Sequence, residues 1–141
     1  MNSTARTLLA LAAATLLAAS AGAETDAKPK PRVTRTASGL TITHLVEGTG
    51  STPKATDTVK VDYHGTFVNG DSFDSTRGGR PATFPVNRVI KCWTEGLQMM
   101  KVGGTAKFEC PAKIAYGLRG APPNIPPNAT LHFEVQLLAV Y

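Results

Sequence analysis

The chain has little excess charge of either sign. It holds 15 lysines and arginines against 10 aspartates and glutamates, a formal net charge of +5 at pH 7, and aromatic residues make up only 6%. A nucleic-acid surface requires a concentrated basic face with aromatic side chains for stacking. The composition therefore gives no reason to expect a nucleic acid as a partner.

Long apolar runs are also scarce. One Leu/Ala-rich run spans residues 8–19, which falls short of the roughly 20 residues that a membrane-spanning helix needs. It follows Arg6 and precedes Ala21-Gly22-Ala23, the pattern of a secretory signal peptide. We predict that residues 1–23 are a signal peptide cleaved after Ala23, rather than an uncleaved anchor. The mature chain is then periplasmic or secreted, with no membrane attachment.

Cysteine and histidine are few. Cys92 and Cys110 occur with His44, His64 and His132, and their scattered spacing matches no zinc-ligand pattern. We therefore expect neither a metal nor another cofactor. Two cysteines in an exported chain are compatible with a disulfide, and equally with two small buried hydrophobic residues. The sequence leaves these alternatives open.

The residues of a hydrolytic site are present only in part. The segment VDYHGTFVNGDSFDST, residues 61–76, contains acids, a histidine and two serines, but the chain has no Gly-x-Ser-x-Gly elbow. Side chains of a strand alternate between its faces, so Asp62 and His64 are expected to face solvent while Tyr63 faces inward. A catalytic triad and an acid–base pair of Asp62 with Asp74 are therefore disfavoured.

Strand patterns dominate the remainder of the chain. Pro29 and Pro31 predict a flexible tail over residues 24–39, followed by one compact domain over residues 40–141. Period-two alternation predicts strands in LTITHLV, residues 58–68, TAKFECP and TLHFEVQLLA. Trp93, Leu97 and Met100 predict one short helix, which Gly103-Gly104 ends. The fold class is therefore α+β, with four or more antiparallel strands around one helix.

Aromatic residues come from six separate segments at inward or loop-tip positions. A hydrophobic core would explain them, but two tyrosine hydroxyls and a neighbouring proline-rich loop favour a ligand pocket. The six residues are Tyr63, Phe73, Phe84, Trp93, Tyr116 and Phe133.

Four motifs resemble those of the FKBP-type peptidyl-prolyl cis/trans isomerases, particularly the exported bacterial ones related to the macrophage infectivity potentiator. They are VDYHGTFVNGDSFDST, PATFPVNRVIKCWTEGLQMMKVGG, IAYGLRG and IPPNATLHFEVQLL. The resemblance implies an antiparallel sheet half-wrapped around one short helix, with a pocket between them. It implies Trp93 as the floor, Asp74 at the rim, and Tyr116 and the Ile90 N–H as donors to a bound carbonyl. The walls that it implies are Tyr63, Phe73, Val89, Ile90 and Phe133, with Phe84 beside them and Ile125 in an overhanging loop.

The same resemblance implies the partners: proline-containing polypeptide clients, and rapamycin-type macrolides as inhibitors. Ala82 stands where many relatives have an aromatic residue, which makes one wall shallower. Relatives of the potentiator type dimerise through a long N-terminal helical region, and the short tail here predicts a monomer. A binding module that holds unfolded segments, with a chaperone role, is the alternative to an enzyme.

Overall fold

The computed structural model describes residues 31–141, which form seven strands and one α-helix. The predicted signal peptide and residues 24–30 lie outside the described residues. The helix, α1, spans Lys91–Leu97, and short 3₁₀ helices span Val86–Arg88 and Ala112–Ile114. The strands are β1 (Arg32–Arg35), β2 (Thr41–Val46), β3 (Thr58–Phe67), β4 (Ser72–Ser75), β5 (Ala82–Pro85), β6 (Thr105–Cys110) and β7 (Leu131–Val140).

All strand pairs in the sheet are antiparallel. The strand order is β1-β2-β6-β7-β3-β4, and β5 also pairs with β3. The long β3 reaches both short strands on the same edge, with β5 beside its first half and β4 beside its second half. This arrangement brings β4, β5 and β7 around one strand, so residues distant in sequence meet beside β3.

Alternation of side chains sets the face of the sheet that is buried. Val59 and Val61 of β3, Phe108 of β6 and Val135 and Leu137 of β7 are all almost fully buried. They pack in one core with α1, as period-two burial requires. The predicted α+β fold, an antiparallel sheet half-wrapped around one short helix, is confirmed.

The β3–β4 hairpin closes through its glycine. The Phe67 N–H donates to the Asp71 carbonyl at 2.9 Å, and Gly70 has a φ of 94°. Glycine adopts this left-handed conformation at little cost. Asn69-Gly70 therefore forms the hairpin turn, and of these two residues only Gly70 has a positive φ.

The predicted tail over residues 24–39 is wrong at its C-terminal end. Residues 32–35 form β1, which pairs with β2 through four residue pairs from Arg32↔His44 to Arg35↔Thr41. β1 is a largely exposed edge strand, so it shows no alternation of apolar and polar residues. Pro31 precedes the strand and lies where proline is tolerated.

The helix is shorter than its apolar spacing suggested. α1 ends at Leu97, and Met100 is buried in the turn that follows rather than on the helix. The N–H groups of Met99 and Met100 donate to the carbonyls of Gly96 and Leu97, as in a tighter terminal turn.

A disulfide joins Cys92 of α1 to Cys110 at the end of β6, with a Cα–Cα distance of 5.8 Å. Both residues are completely buried. The structure thus decides between the two alternatives that the sequence left open. The disulfide links α1, which carries Trp93, to β6 of the sheet.

Candidate active site

Trp93 lies at the centre of an aromatic cluster. Its indole meets four rings edge-to-face: Tyr63 at 5.1 Å, Phe133 at 5.3 Å, Phe84 at 5.6 Å and Phe108 at 6.4 Å between centroids. The interplanar angles lie between 84° and 89°, the geometry that aromatic quadrupoles prefer. Each contact adds to the rigidity of the indole, so its position is set by several elements at once.

Each ring comes from a different element around β3. Tyr63 lies on β3, Phe73 on β4, Phe84 on β5 and Phe133 on β7, and Trp93 is on α1. Register explains why they converge, because Tyr63 pairs with Val135, two residues from Phe133 on the same face of β7.

Gly65 makes room for two of these rings. A Cβ at this position would lie 2.6 Å from Cζ of Phe73 and 3.0 Å from Cε1 of Phe133. The two rings meet edge-to-face at 5.5 Å. The glycine in β3 therefore lets Phe73 and Phe133 approach the strand closely.

The cluster opens into a cavity of about 440 Å³ between β3, β4, β7 and α1. This volume lies within the range of small-ligand sites. Of the residues predicted for the site, the following line it: Tyr63, Phe73, Asp74, Phe84, Val89, Ile90, Trp93, Tyr116 and Phe133.

Trp93 forms an apolar floor. The residue is only 4% exposed, and its Nε1 has no hydrogen-bond partner within residues 31–141. The indole nevertheless lines the cavity, so a group that enters it meets apolar ring surface.

Polar groups lie at the rim. The Tyr63 hydroxyl donates to Oδ2 of Asp74 at 2.6 Å, and the Ser75 N–H donates to Oδ1 at 2.9 Å. Burial, and then the hydrogen bond to Asp74, raises the pKa of Tyr63 well above that of an ordinary tyrosine. Tyr63 therefore remains a protonated donor that holds β4 against β3.

Two further donors are free to meet a ligand. Tyr116 is 42% exposed and lines the cavity. The Ile90 N–H donates to no acceptor in the described part of the chain, while the Ile90 carbonyl begins α1 by accepting from Trp93 and Thr94. An unpaired N–H at the start of a helix is a natural donor to a carbonyl oxygen.

Ile125 does not line the cavity. It is 5% exposed and packs in the core, and it pairs with Ala121 through two backbone hydrogen bonds of 2.9 Å. Its side chain therefore closes the proline-rich loop onto the domain rather than extending the cavity wall.

Asp62 and His64 lie away from this cavity, as their strand positions predicted. Thr76 donates to Oδ1 of Asp62 at 3.1 Å, and Nδ1 of His64 lies 3.0 Å from the Ser75 hydroxyl. Neither residue lines the aromatic cavity. The acid and the imidazole of this segment thus belong to the outer face of the sheet.

Arg88 is a lining residue that the sequence interpretation missed. It ends the 3₁₀ helix Val86–Arg88, immediately before Val89 and Ile90. Its position directly before two predicted wall residues could have indicated this. The resemblance, however, implied only the apolar Val89 and Ile90 as walls.

Two other kinds of feature are absent from the described residues. Residues 31–141 contain no cluster of three or more potential metal ligands. Over the same span, every helix is too short or too polar to cross a bilayer.

The antiparallel sheet half-wrapped around a short helix, with a ring-lined cavity between them, is the architecture that the motif resemblance implied. Comparison with known families agrees: the model of the family described as FKBP-type peptidyl-prolyl cis-trans isomerase matches residues 49–138. The chain belongs to this family, and the resemblance stated from the motifs is confirmed.

Relatives occur in bacteria and fungi. The chain is 54% identical over 112 residues to "FKBP-type peptidyl-prolyl cis-trans isomerase FkpA" of Aeromonas hydrophila, covering 79% of this chain and 41% of that protein. It is 49% identical over 107 residues to "FK506-binding protein 1A" of Emericella nidulans, covering 72% of this chain and 98% of that protein. The chain thus spans less than half of its Aeromonas relative but matches nearly the whole fungal one.

Solved structures show the same fold. The crystal structure of FkpA from Escherichia coli superposes with a TM-score of 0.74 at 39% identity, covering 96% of this chain and 70% of that one. A peptidyl-prolyl cis-trans isomerase from Pseudomonas syringae gives a TM-score of 0.73 at 38% identity, covering 84% and 86%.

Proposed function

We propose that this chain accelerates cis/trans rotation of Xaa-Pro bonds in exported polypeptides by holding the twisted imide in the aromatic cavity. The observation that carries the proposal is the cavity over Trp93, whose walls are apolar and whose donors lie at the rim. Family membership supports the same reaction.

The uncatalysed rotation is slow because the amide must lose its resonance, at a barrier of roughly 18–20 kcal/mol. At the twisted transition state the nitrogen lone pair is no longer delocalised and the carbonyl oxygen carries less charge. A dry cavity therefore disfavours the planar, more polar ground state relative to the twisted one. The reaction requires neither a nucleophile nor a proton-transferring side chain.

The proposed roles follow the geometry. The proline ring lies on Trp93, between the rings of Tyr63, Phe73 and Phe133. The Tyr116 hydroxyl and the Ile90 N–H donate to carbonyls of the bound segment and hold it in a turn. Asp74 acts through Tyr63, because it holds that ring in place.

The test is a protease-coupled assay on a tetrapeptide with one Xaa-Pro bond. Trp93→Leu and Tyr116→Phe should lower kcat/KM while urea unfolding shows the fold retained. Tyr141→Phe is the matched control, because Tyr141 is exposed and lies off the cavity. Rapamycin should inhibit the wild-type chain. Equal activity in wild type and both cavity variants would refute the assignment.

Export and oligomeric state belong to the same proposal. We propose a monomer that acts in the periplasm or outside the cell, after removal of residues 1–23. The apolar run of residues 8–19 before Ala21-Gly22-Ala23 supports export. N-terminal sequencing of the exported chain and light scattering test the two claims, and an intact N-terminus or a dimer mass would contradict them.

We propose holding of unfolded segments as a second function. Leu118 is 80% exposed and follows the cavity residue Tyr116 by two positions, so it offers additional apolar surface to an unfolded segment. Leu118→Ser should reduce suppression of aggregation of a proline-free client while leaving tetrapeptide turnover intact. Unchanged suppression would remove this function.

A further inference from the structure

Two charged side chains line the aromatic cavity, Asp74 and Arg88. Asp74 is already occupied, since its two carboxylate oxygens accept from the Tyr63 hydroxyl and the Ser75 N–H. Arg88 makes no ion pair in the described structure, where the salt bridges join Arg32 to Glu47 and Arg77 to Glu134. The guanidinium is thus an exposed cation with free donors at the cavity mouth.

The backbone that carries Arg88 is firmly held. Val86, two residues before it, is completely buried, and its N–H donates to the Asp57 carbonyl at 2.9 Å. The Thr94 hydroxyl of α1 donates to the Val86 carbonyl at 2.7 Å. Arg88 therefore projects from a fixed turn directly before Val89 and Ile90 of the cavity wall.

We propose that Arg88 makes the enzyme prefer Xaa-Pro segments with an acidic residue next to the proline, a preference that rests on the proposed isomerase function. Successive residues of a bound chain are about 3.8 Å apart, so a flanking side chain lies at the rim while the proline ring fills the cavity. A guanidinium recognises a carboxylate through two parallel hydrogen bonds. The acidic side chain supplies the partner that Arg88 lacks.

The ion pair between Arg88 and a substrate carboxylate should give a modest substrate preference. Because an exposed ion pair is weak, kcat/KM should be roughly two- to fivefold higher for glutamate than for glutamine. The gain should fade in about 1 M salt, where charges are screened over about 3 Å. Glutamine is the proper reference because it has the same shape without the charge.

The experiment measures kcat/KM on two matched peptide pairs. One pair carries Glu or Gln before the proline, and the other carries Glu or Gln after it. The wild-type chain should favour Glu at one of the two positions, and this ratio should fall to about one in Arg88→Gln, as expected if one exposed ion pair is lost. Arg80→Gln, an exposed arginine off the cavity, should keep the wild-type ratio.

The outcomes separate this inference from the proposed function. Acceleration of the Gln peptides without any Glu preference overturns the role of Arg88 and leaves the isomerase intact. An equal loss of activity on all four peptides in Arg88→Gln also overturns it, because Arg88 would then contact backbone carbonyls. No acceleration of any peptide refutes the proposed function itself, and the preference with it.

Discussion

Reduction of the Cys92–Cys110 disulfide should lower the stability of the domain strongly while leaving the aromatic cavity functional. Both cysteines are completely buried where α1 meets the end of β6. Neither cysteine lines the cavity. The effect is therefore expected mainly in the unfolded chain, which gains freedom when the cross-link is lost.

The magnitude follows from the length of the closed loop. The two cysteines are 18 residues apart, and a loop of this length restricts the unfolded chain by roughly 3 kcal/mol. With a urea dependence of about 1.5 kcal/mol per M for a small domain, the unfolding midpoint should move by about 2 M.

The assay is urea unfolding of the chain refolded with and without a strong reductant, followed by the fluorescence of its single tryptophan. The double variant Cys92→Ala/Cys110→Ala should show no dependence on the reductant. At low urea, kcat/KM on an Xaa-Pro peptide should be the same in both redox states. Identical unfolding midpoints for the oxidised and reduced chains would refute the reasoning.

Three further perturbations test separate parts of the structure. Gly65→Ala should lower the free energy of unfolding by roughly 1–3 kcal/mol through overpacking, and it should lower turnover, because the added Cβ would lie 2.6 Å from the Phe73 ring. Unchanged unfolding and kinetics would contradict this. Tyr63→Phe should lower the free energy of unfolding by about 0.5–1.5 kcal/mol, because it removes the hydroxyl that donates to Asp74. A calorimetric scan that shows no loss of stability would be the contrary result. Burial lowers the pKa of His44, and the nearby positive charge of Arg32 lowers it further. The folded state therefore binds a proton less readily than the unfolded state. Stability is then fully present above about pH 6.5 and falls as the pH drops below it, and His44→Gln should flatten this dependence in unfolding curves at several pH values.

Local patterns predicted the parts of the fold that are buried on one face. β3, β6 and β7 alternate apolar and polar residues, and their inward faces appear in the core as predicted. β1 and β5 escaped prediction for a physical reason. Both are four-residue edge strands without a fully buried residue, and hydrogen bonds to a longer neighbour hold them in place.

The candidate site was predictable where its residues are apolar and come from recognisable motifs. Spacing alone left a core and a pocket as alternatives for the six aromatic residues, and the resemblance favoured the pocket. Arg88 and Ile125 were harder, because an exposed arginine and a loop isoleucine carry no periodic signal. Only the three-dimensional arrangement shows that the first lines the cavity and that the second is buried.

In the proposed mechanism, the aromatic cavity accelerates rotation about the Xaa-Pro bond without any proton transfer. NMR exchange spectroscopy on an Xaa-Pro peptide, repeated across about pH 5 to 8 where histidine titrates, tests it most directly. The folded enzyme should accelerate cis/trans exchange equally at every pH. A rate that follows the titration curve of a side chain, or no acceleration at all, would contradict it.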